Sequence, residues 1–317
     1  MPTYGEKLKI LSGKANPRLA QDICEYLDTE LVNADISRFS DGEINIQIKE
    51  SVRGADVFVL QPTCPPVNEN LMELLVIIDA LRRASARRIT AVIPYYGYAR
   101  QDRKAQARDP ITAKMVANLL TVAGARRMLF VDLHAAQIQG FFDTPVDHLL
   151  AAPLIAEYFK KKELENVIIV SPDVGGVKMV RDLARRMHTE IAIIDKRRPK
   201  PNVSEVMNVI GSVEDKTVII YDDLIDTGGS VTEAACTLKE RGARDVYVGA
   251  THGVLSGPAI DRLKTAPIEE IVLTDTIPPH NVEKLDNLTV LSTAKLIGKA
   301  IWRIYQDLSV SVLFKRK

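Results

Sequence analysis

The sequence predicts an α/β protein made of two similar halves, each a mainly parallel sheet flanked by helices. Short β-branched runs alternate with amphipathic stretches along most of the 317 residues, the pattern of strands joined by crossover helices. A helix–turn–strand unit occurs twice. Gly124-Ala125-Arg126 leads into an apolar run ending at His134, and Gly242-Ala243-Arg244 into one ending at His252, the glycines and the histidines each 118 positions apart. Leu120 and Leu238 keep that offset. The length also points to two domains rather than one. We place them at 1–147 and 148–317, with the last helix or strand packing back on the first.

Strands are expected at Lys9–Leu11, Val57–Leu60, Ile89–Ile93, Met128–Leu133, Val167–Val170, Ile191–Ile194, Val218–Tyr221, Val246–Ala250 and Ile271–Leu273, each a short apolar run. Asn16-Pro17 opens a helix with a cap followed by a first-turn proline. Leu71, Leu74, Leu75, Ile78 and Leu81 fall on one helical stripe. Phe39-Ser40-Asp41-Gly42-Glu43 forms a polar turn between two strand-like runs, and Asp-Gly is first of all a hairpin signal.

Composition narrows the function. With 42 basic and 41 acidic residues, the formal net charge is +1, which lacks the basic excess of a nucleic-acid binder. A local basic pocket for a small polyanion stays open. The three cysteines, Cys24, Cys64 and Cys236, are scattered without metal or redox spacing, which suits a reducing, cytoplasmic setting. MPTYGEKLKILSG has no apolar core of a secretory signal, and no apolar run is long enough to span a bilayer. No membrane partner is expected.

Val218–Val231, VIIYDDLIDTGGSV, carries the most chemistry. An apolar strand runs into Asp222 and Asp223, then Asp226-Thr227-Gly228-Gly229-Ser230, then a helix. Free amides at a helix N-terminus favour a phosphate. Gly228 and Gly229 allow close backbone approach, and Thr227 and Ser230 add hydroxyl donors. The two acids suit the diol of a sugar. Together they describe a site for a ribose 5-phosphate group.

Other polar clusters are ambiguous from their residues alone. Arg100, Gln101, Arg103, Lys104 and Arg108 lie in a loop at Tyr95–Pro110, where the second copy has its glycine turn; they suit phosphates but equally a solvated loop. His134 and Asp173 each follow an apolar strand, where ligands of α/β sheets collect. They could share a Mg²⁺ brought in by phosphates, or be structural. Asp195–Asn202 is a basic, proline-bearing loop, either solvated or a closing element whose Lys196 and Arg198 neutralise transition-state charge.

Taken in order, RFSDGE (Arg38–Glu43), NLMELL (Asn70–Leu75), ALRRASA (Ala80–Ala86), IPYYGYARQDRK (Ile93–Lys104), DLHAAQIQGFF (Asp132–Phe142), SPDVGG (Ser171–Gly176), IDKRRPKPN (Ile194–Asn202) and DDLIDTGGS (Asp222–Ser230) resemble the ribose-phosphate pyrophosphokinases of the class I bacterial type, nearly end to end. The resemblance implies two type I phosphoribosyltransferase-like domains. It also implies Mg²⁺-dependent transfer of the β,γ-pyrophosphoryl group of ATP to the C1 hydroxyl of ribose 5-phosphate, giving phosphoribosyl pyrophosphate (PRPP) and AMP. Asp41, Gly42, Glu43, Arg100 and Gln101 would hold ATP, and His134 and Asp173 the metal. Lys196 and Arg198 would be the catalytic cations. Arg198, Asp222, Asp223 and Asp226–Ser230 would bind ribose 5-phosphate. A homo-oligomer, commonly a hexamer, with phosphate and ADP as effectors is implied too. Ser230 stands where the family often has Thr, which keeps the hydroxyl. Met179 stands where relatives commonly have Arg, which removes one phosphate contact. A phosphoribosyltransferase would share the glycine turn but needs only one such unit and neither basic loop. A non-catalytic regulatory subunit would have lost Lys196, Arg198, His134 or Asp173, and all four are present.

Overall fold

Two parallel sheets of unequal size stand in a computed structural model that describes residues 8–197, 206–280 and 284–314. For residues 196, 197, 206, 207 and 314 it describes the backbone alone. The first half contains β1 (Leu8–Ser12), α1 (Pro17–Leu27), the pair β2 (Ala34–Arg38) and β3 (Ile44–Ile48), then β4 (Asp56–Leu60) and α2 (Val67–Arg83). It continues through β5 (Arg88–Ile93), α3 (Thr112–Ala123), β6 (Arg127–Val131), a 3-10 turn at Ala136–Phe141 and β7 (Val146–Leu149). Its sheet is all parallel in the order β1-β4-β5-β6-β7, while β2 and β3 form a separate antiparallel ribbon.

The second half begins with α4 (Ala152–Lys161), β8 (Val167–Ser171), α5 (Val177–Met187), β9 (Glu190–Arg197) and β10 (Val206–Ile210). Next come β11 (Thr217–Ile225), α6 (Gly229–Glu240), β12 (Asp245–Gly253), α7 (Ala259–Thr265), β13 (Glu270–Thr274), β14 (Leu288–Leu291) and α8 (Ala294–Tyr305). The order is β10-β9-β8-β11-β12-β13-β14, parallel except for the β9–β10 pair. From β8 the chain first builds outward through β9. It then returns to lay β11 on the other side. This reversal creates a crevice at the carboxyl ends of β8 and β11, where open α/β sheets bind ligands.

Local chemistry explains the boundaries. Asn16 caps α1 by accepting from the Leu19 amide at 3.2 Å, with Pro17 in the first turn. The repeated glycines end α3 and follow α6 in conformations that favour glycine, φ +128° at Gly124 and +84° at Gly242. Leu71, Leu74, Ile78 and Leu81 are buried along α2. β4, β5, β8 and β11 are buried along nearly their whole length, as strands covered on both faces must be. Four expected strands end elsewhere, among them the one expected to stop at Ala250, which runs on to Gly253 as β12. The β6 strand stops at Val131, because Asp132 turns the chain at φ +37°. The β9 strand runs on through Lys196 and Arg197, paired with β10, rather than leaving as a loop at Asp195. The β11 strand absorbs both acids and continues to Ile225.

The expected division at 147/148 falls inside β7, whose four residues belong to the first sheet. The halves share one core. Leu19, Ile23, Phe58 and Leu129 of the first half cluster with Ile155, Phe159, Ile169 and Tyr221 of the second. The α8 helix returns to the first half, burying Ile297 and Ile301 in the same cluster. Gly298 makes this close crossing possible: a Cβ there would sit 2.5 Å from the Tyr26 ring. Among the described residues no helix is long and apolar enough to cross a membrane.

Candidate active site

The crevice is floored by the end of β11 and the turn into α6. Gly228 adopts φ +74°, and a Cβ there would also lie 3.3 Å from the Ala259 carbonyl, so the turn requires glycine. No side chain caps α6, which leaves the amides of its first turn for a ligand. Thr227 and Ser230 are exposed beside them. Arg262 on α7 donates to the Thr227 carbonyl at 3.1 Å and so braces the turn from behind.

Two residues of the first half reach into this turn. His134 places Nδ1 2.7 Å from Asp223 Oδ2. A carboxylate only accepts, so Nδ1 carries the proton and donates, leaving Nε2 uncommitted. The Asp223 partnership raises the His134 pKa above its ordinary value, although burial opposes it. Burial pushes Asp223 upward, but the His134 bond and charge outweigh that and hold it below the usual carboxylate range. Its neighbour Asp222 is raised well above that range by burial and by the Asp223 charge, with Asp173 adding to the repulsion. Arg100 meets Asp226 at 2.6 Å. Asp226 also accepts from the Ser256 hydroxyl. Its pKa is lowered: burial opposes the shift, and the Ser256 and Arg100 bonds prevail.

The remaining candidates sit at different distances from this centre. Gln101 accepts from the Thr112 hydroxyl at 2.5 Å, which ties the basic loop to the start of α3. Asp102 accepts from Gln137 at 3.1 Å. Asp173 folds back on its own turn, accepting from the Gly176 amide at 2.9 Å, with an exposed side chain. Asp41, Gly42 and Glu43 form the exposed tip of the β2–β3 ribbon, where the Glu43 amide donates to Asp41 at 3.0 Å. No hydrogen bond joins them to the crevice among the described residues. Lys196 lies on β9 opposite Met207, its side chain outside what is described, and Arg198 lies outside the described residues altogether. Met179 packs against the shared core.

Sequence reasoning missed three features. Arg262 had no motif around it. Ser256 lies thirty positions from the acid it serves. Asp132 is buried, accepts from Thr251 Oγ1 at 2.6 Å and the Ala151 amide at 2.9 Å, and has its pKa pushed up to about 6 by burial. The repeated histidine was the one available signal, since His252 reaches back to the Asp132 carbonyl.

Comparison with known proteins shows the family. Residues 8–124 match the N-terminal domain of ribose phosphate pyrophosphokinase, and residues 196–315 match the phosphoribosyl synthetase-associated domain. A ribose-phosphate pyrophosphokinase of Caldanaerobacter subterraneus subsp. tengcongensis is 58% identical over 315 residues, covering 99% of this chain and 100% of the relative. The chain belongs to the ribose-phosphate pyrophosphokinase family. A second member, from Bacillus caldolyticus, is 58% identical over 97% of this chain and 98% of its own. The crystal structure of phosphoribosylpyrophosphate synthetase from Mycobacterium smegmatis superposes with a TM-score of 0.90 at 43% identity, covering 95% of this chain and all of that one.

Proposed function

We propose that this chain transfers the β,γ-diphosphoryl group of ATP to the C1 hydroxyl of ribose 5-phosphate, yielding PRPP and AMP. The observation that carries this reading is the meeting of the two halves at the glycine turn: His134 on Asp223 and Arg100 on Asp226. A sugar-phosphate turn reached by Arg100 of a second, ATP-side loop is what a two-substrate transfer needs. A phosphoribosyltransferase would need only the turn. The ligands are small intracellular phosphates, so we place the protein in the cytoplasm.

In the reaction the C1 hydroxyl oxygen forms a bond to the β-phosphorus, the β-phosphorus bond to the bridging oxygen of AMP breaks, and the proton of the C1 hydroxyl passes to solvent. Such chemistry asks the protein for positioning and charge neutralisation. The α6 amides, Thr227 and Ser230 would hold the 5-phosphate. Asp222 and Asp223 would accept from the ring hydroxyls, and Asp226 would fix the turn. Arg100 and Gln101 would hold ATP, joined by Asp41, Gly42 and Glu43. Lys196 and Arg198 would neutralise the transferred group, with Arg198 also reaching the sugar phosphate.

The donor set fits Mg²⁺. His134 leaves Nε2 uncommitted and Asp173 offers an exposed carboxylate, few protein ligands of the kind taken by an ion that keeps waters and arrives on a nucleotide. His134, through its uncommitted Nε2, and Asp173 would hold it, and the bound ion would neutralise phosphate charge. Asp223 would keep the imidazole turned with Nδ1–H inward, as carboxylates do behind ligating histidines. We further propose a homo-oligomer, a hexamer, with phosphate and ADP as effectors. The resemblance supports this, as do the exposed apolar residues Met115, Leu119 and Val122 along α3. Phosphorus NMR of the protein with Mg²⁺, ATP and ribose 5-phosphate tests the main reading. AMP and PRPP in equal amounts support it, whereas ADP as product would mean γ-phosphoryl transfer and overturn it. Sugar-phosphate binding without turnover would mark a regulatory subunit.

A further inference from the structure

His252 is the duplicate of His134, yet it does something different. It is buried on β12, 2% exposed. Its Nε2 lies 2.9 Å from the Asp132 carbonyl oxygen and its Nδ1 2.8 Å from Thr276 Oγ1. A carbonyl only accepts, so Nε2–H donates to Asp132 and Nδ1 accepts from the Thr276 hydroxyl, which fixes the tautomer. The Tyr95 ring stands edge-on to the imidazole at 5.0 Å. The adjacent Thr251 donates to the Asp132 carboxylate at 2.6 Å. Asp132, turned at φ +37°, is thus gripped at its carbonyl and at its carboxylate by consecutive residues of β12. Two positions later His134 leaves this turn and lands on Asp223 of β11. The two strands are in register, with Leu224 opposite His252. One strand holds the turn and its neighbour receives the histidine.

From this geometry we infer that the Thr251–His252 pair on β12 is a positioning device. It clamps Asp132 so that His134 reaches Asp223. His252 touches no substrate and acts only through His134. The inference rests on the role proposed above for His134. Without the clamp Asp132 keeps the Ala151 amide on its carboxylate and its own amide on Leu149 but loses both bonds to β12; the turn shifts and the histidine is misplaced, and errors of about 1 Å at a reacting centre cost on the order of 10²-fold in rate.

The test is a mutant cycle on the full-length protein. His252→Leu is expected to lower kcat by on the order of 10- to 100-fold, with the KM for ribose 5-phosphate little changed. In a His134→Ala background the same change is expected to cost less than about twofold, because residues acting in one chain are not additive. His252→Gln, whose amide can donate where Nε2–H did, is expected to restore most of the turnover. Equal losses in both backgrounds, or a Gln variant as poor as the Leu variant, overturn the clamp. A crystal structure of His252→Leu reads the same question without catalysis: the His134–Asp223 contact opens if the clamp is real and stays closed if it is not. Were His134→Ala to leave turnover intact, the role given to His134 would fall, and the crystal structure alone would decide the clamp. Should His252→Leu not fold, Thr251→Val removes the donor to the Asp132 carboxylate at nearly constant shape and enters the same cycle.

Discussion

Asp222 and Asp223 are adjacent in sequence and opposite in electrostatics. Burial pushes both upward, but the His134 hydrogen bond makes Asp223 the stronger acid of the two, while burial and the charge next door hold Asp222 toward its protonated form. Replacing both with Asn is expected to weaken ribose 5-phosphate more than ATP in calorimetric titration. Equal weakening would argue against diol recognition. His148 gives a residue-level pH prediction. Its Nε2 accepts from the Leu133 amide at 2.9 Å, and burial pushes its pKa from 6.5 down to about 4. Between those values the unfolded chain binds a proton that the folded chain refuses, so stability falls as pH drops through the window. Asp132, raised to about 6, works in the opposite direction over much of the same range. His148→Gln keeps an acceptor for Leu133 without the titration. Urea midpoints from pH 6.5 to 4.5 should therefore fall less in this variant than in the parent. Parallel curves would refute the assignment.

At the scale of elements, the glycine turn and the long strands were readable because their signals are local. A strand buried on both faces is a continuous apolar run, as in β8 and β11. The edge strands β7 and β14 are four residues each and only partly buried, so their composition does not separate them from loops. The acids of β11 read as a turn because charged pairs seldom continue a strand. Here β12 pairs with β11 past them, Asp222 opposite Ala250 and Leu224 opposite His252. The same effect extends β9. Lys196 therefore stands on a paired strand and not in the middle of a free loop. Its charge is proposed to act in the transition state, so Lys196→Ala should lower kcat by at least ~10² while leaving substrate affinity nearly intact. Steady-state kinetics checks this, and near-parental turnover would remove Lys196 from the mechanism. The contacts that no local pattern could reveal are those between halves: His134 with Asp223, Arg100 with Asp226, and His252 with Asp132.

For the molecule as a whole, duplication has produced division of labour. The second copy kept a three-residue turn, Asp226–Gly228, between β11 and α6. The first spent the corresponding space on the long basic loop between β5 and α3. A common core then locks the copies together, and α8 supplies part of it. Ile301→Ala, at a fully buried position against α1, should cost about 2–5 kcal/mol. Hydrogen exchange should rise at α1 amides as well as at those of α8. Faster exchange confined to α8 would mean that the halves melt independently.

That arrangement also constrains how the chain is made. The α1 helix begins at Pro17, yet the helix covering its apolar face ends at Tyr305. During synthesis from the N-terminus, the first half emerges with Leu19 and Ile23 exposed. It must wait for α8, more than 270 positions further on, before that surface is sealed. A chain cut before α8 would therefore keep α1 and lose the helix that covers it.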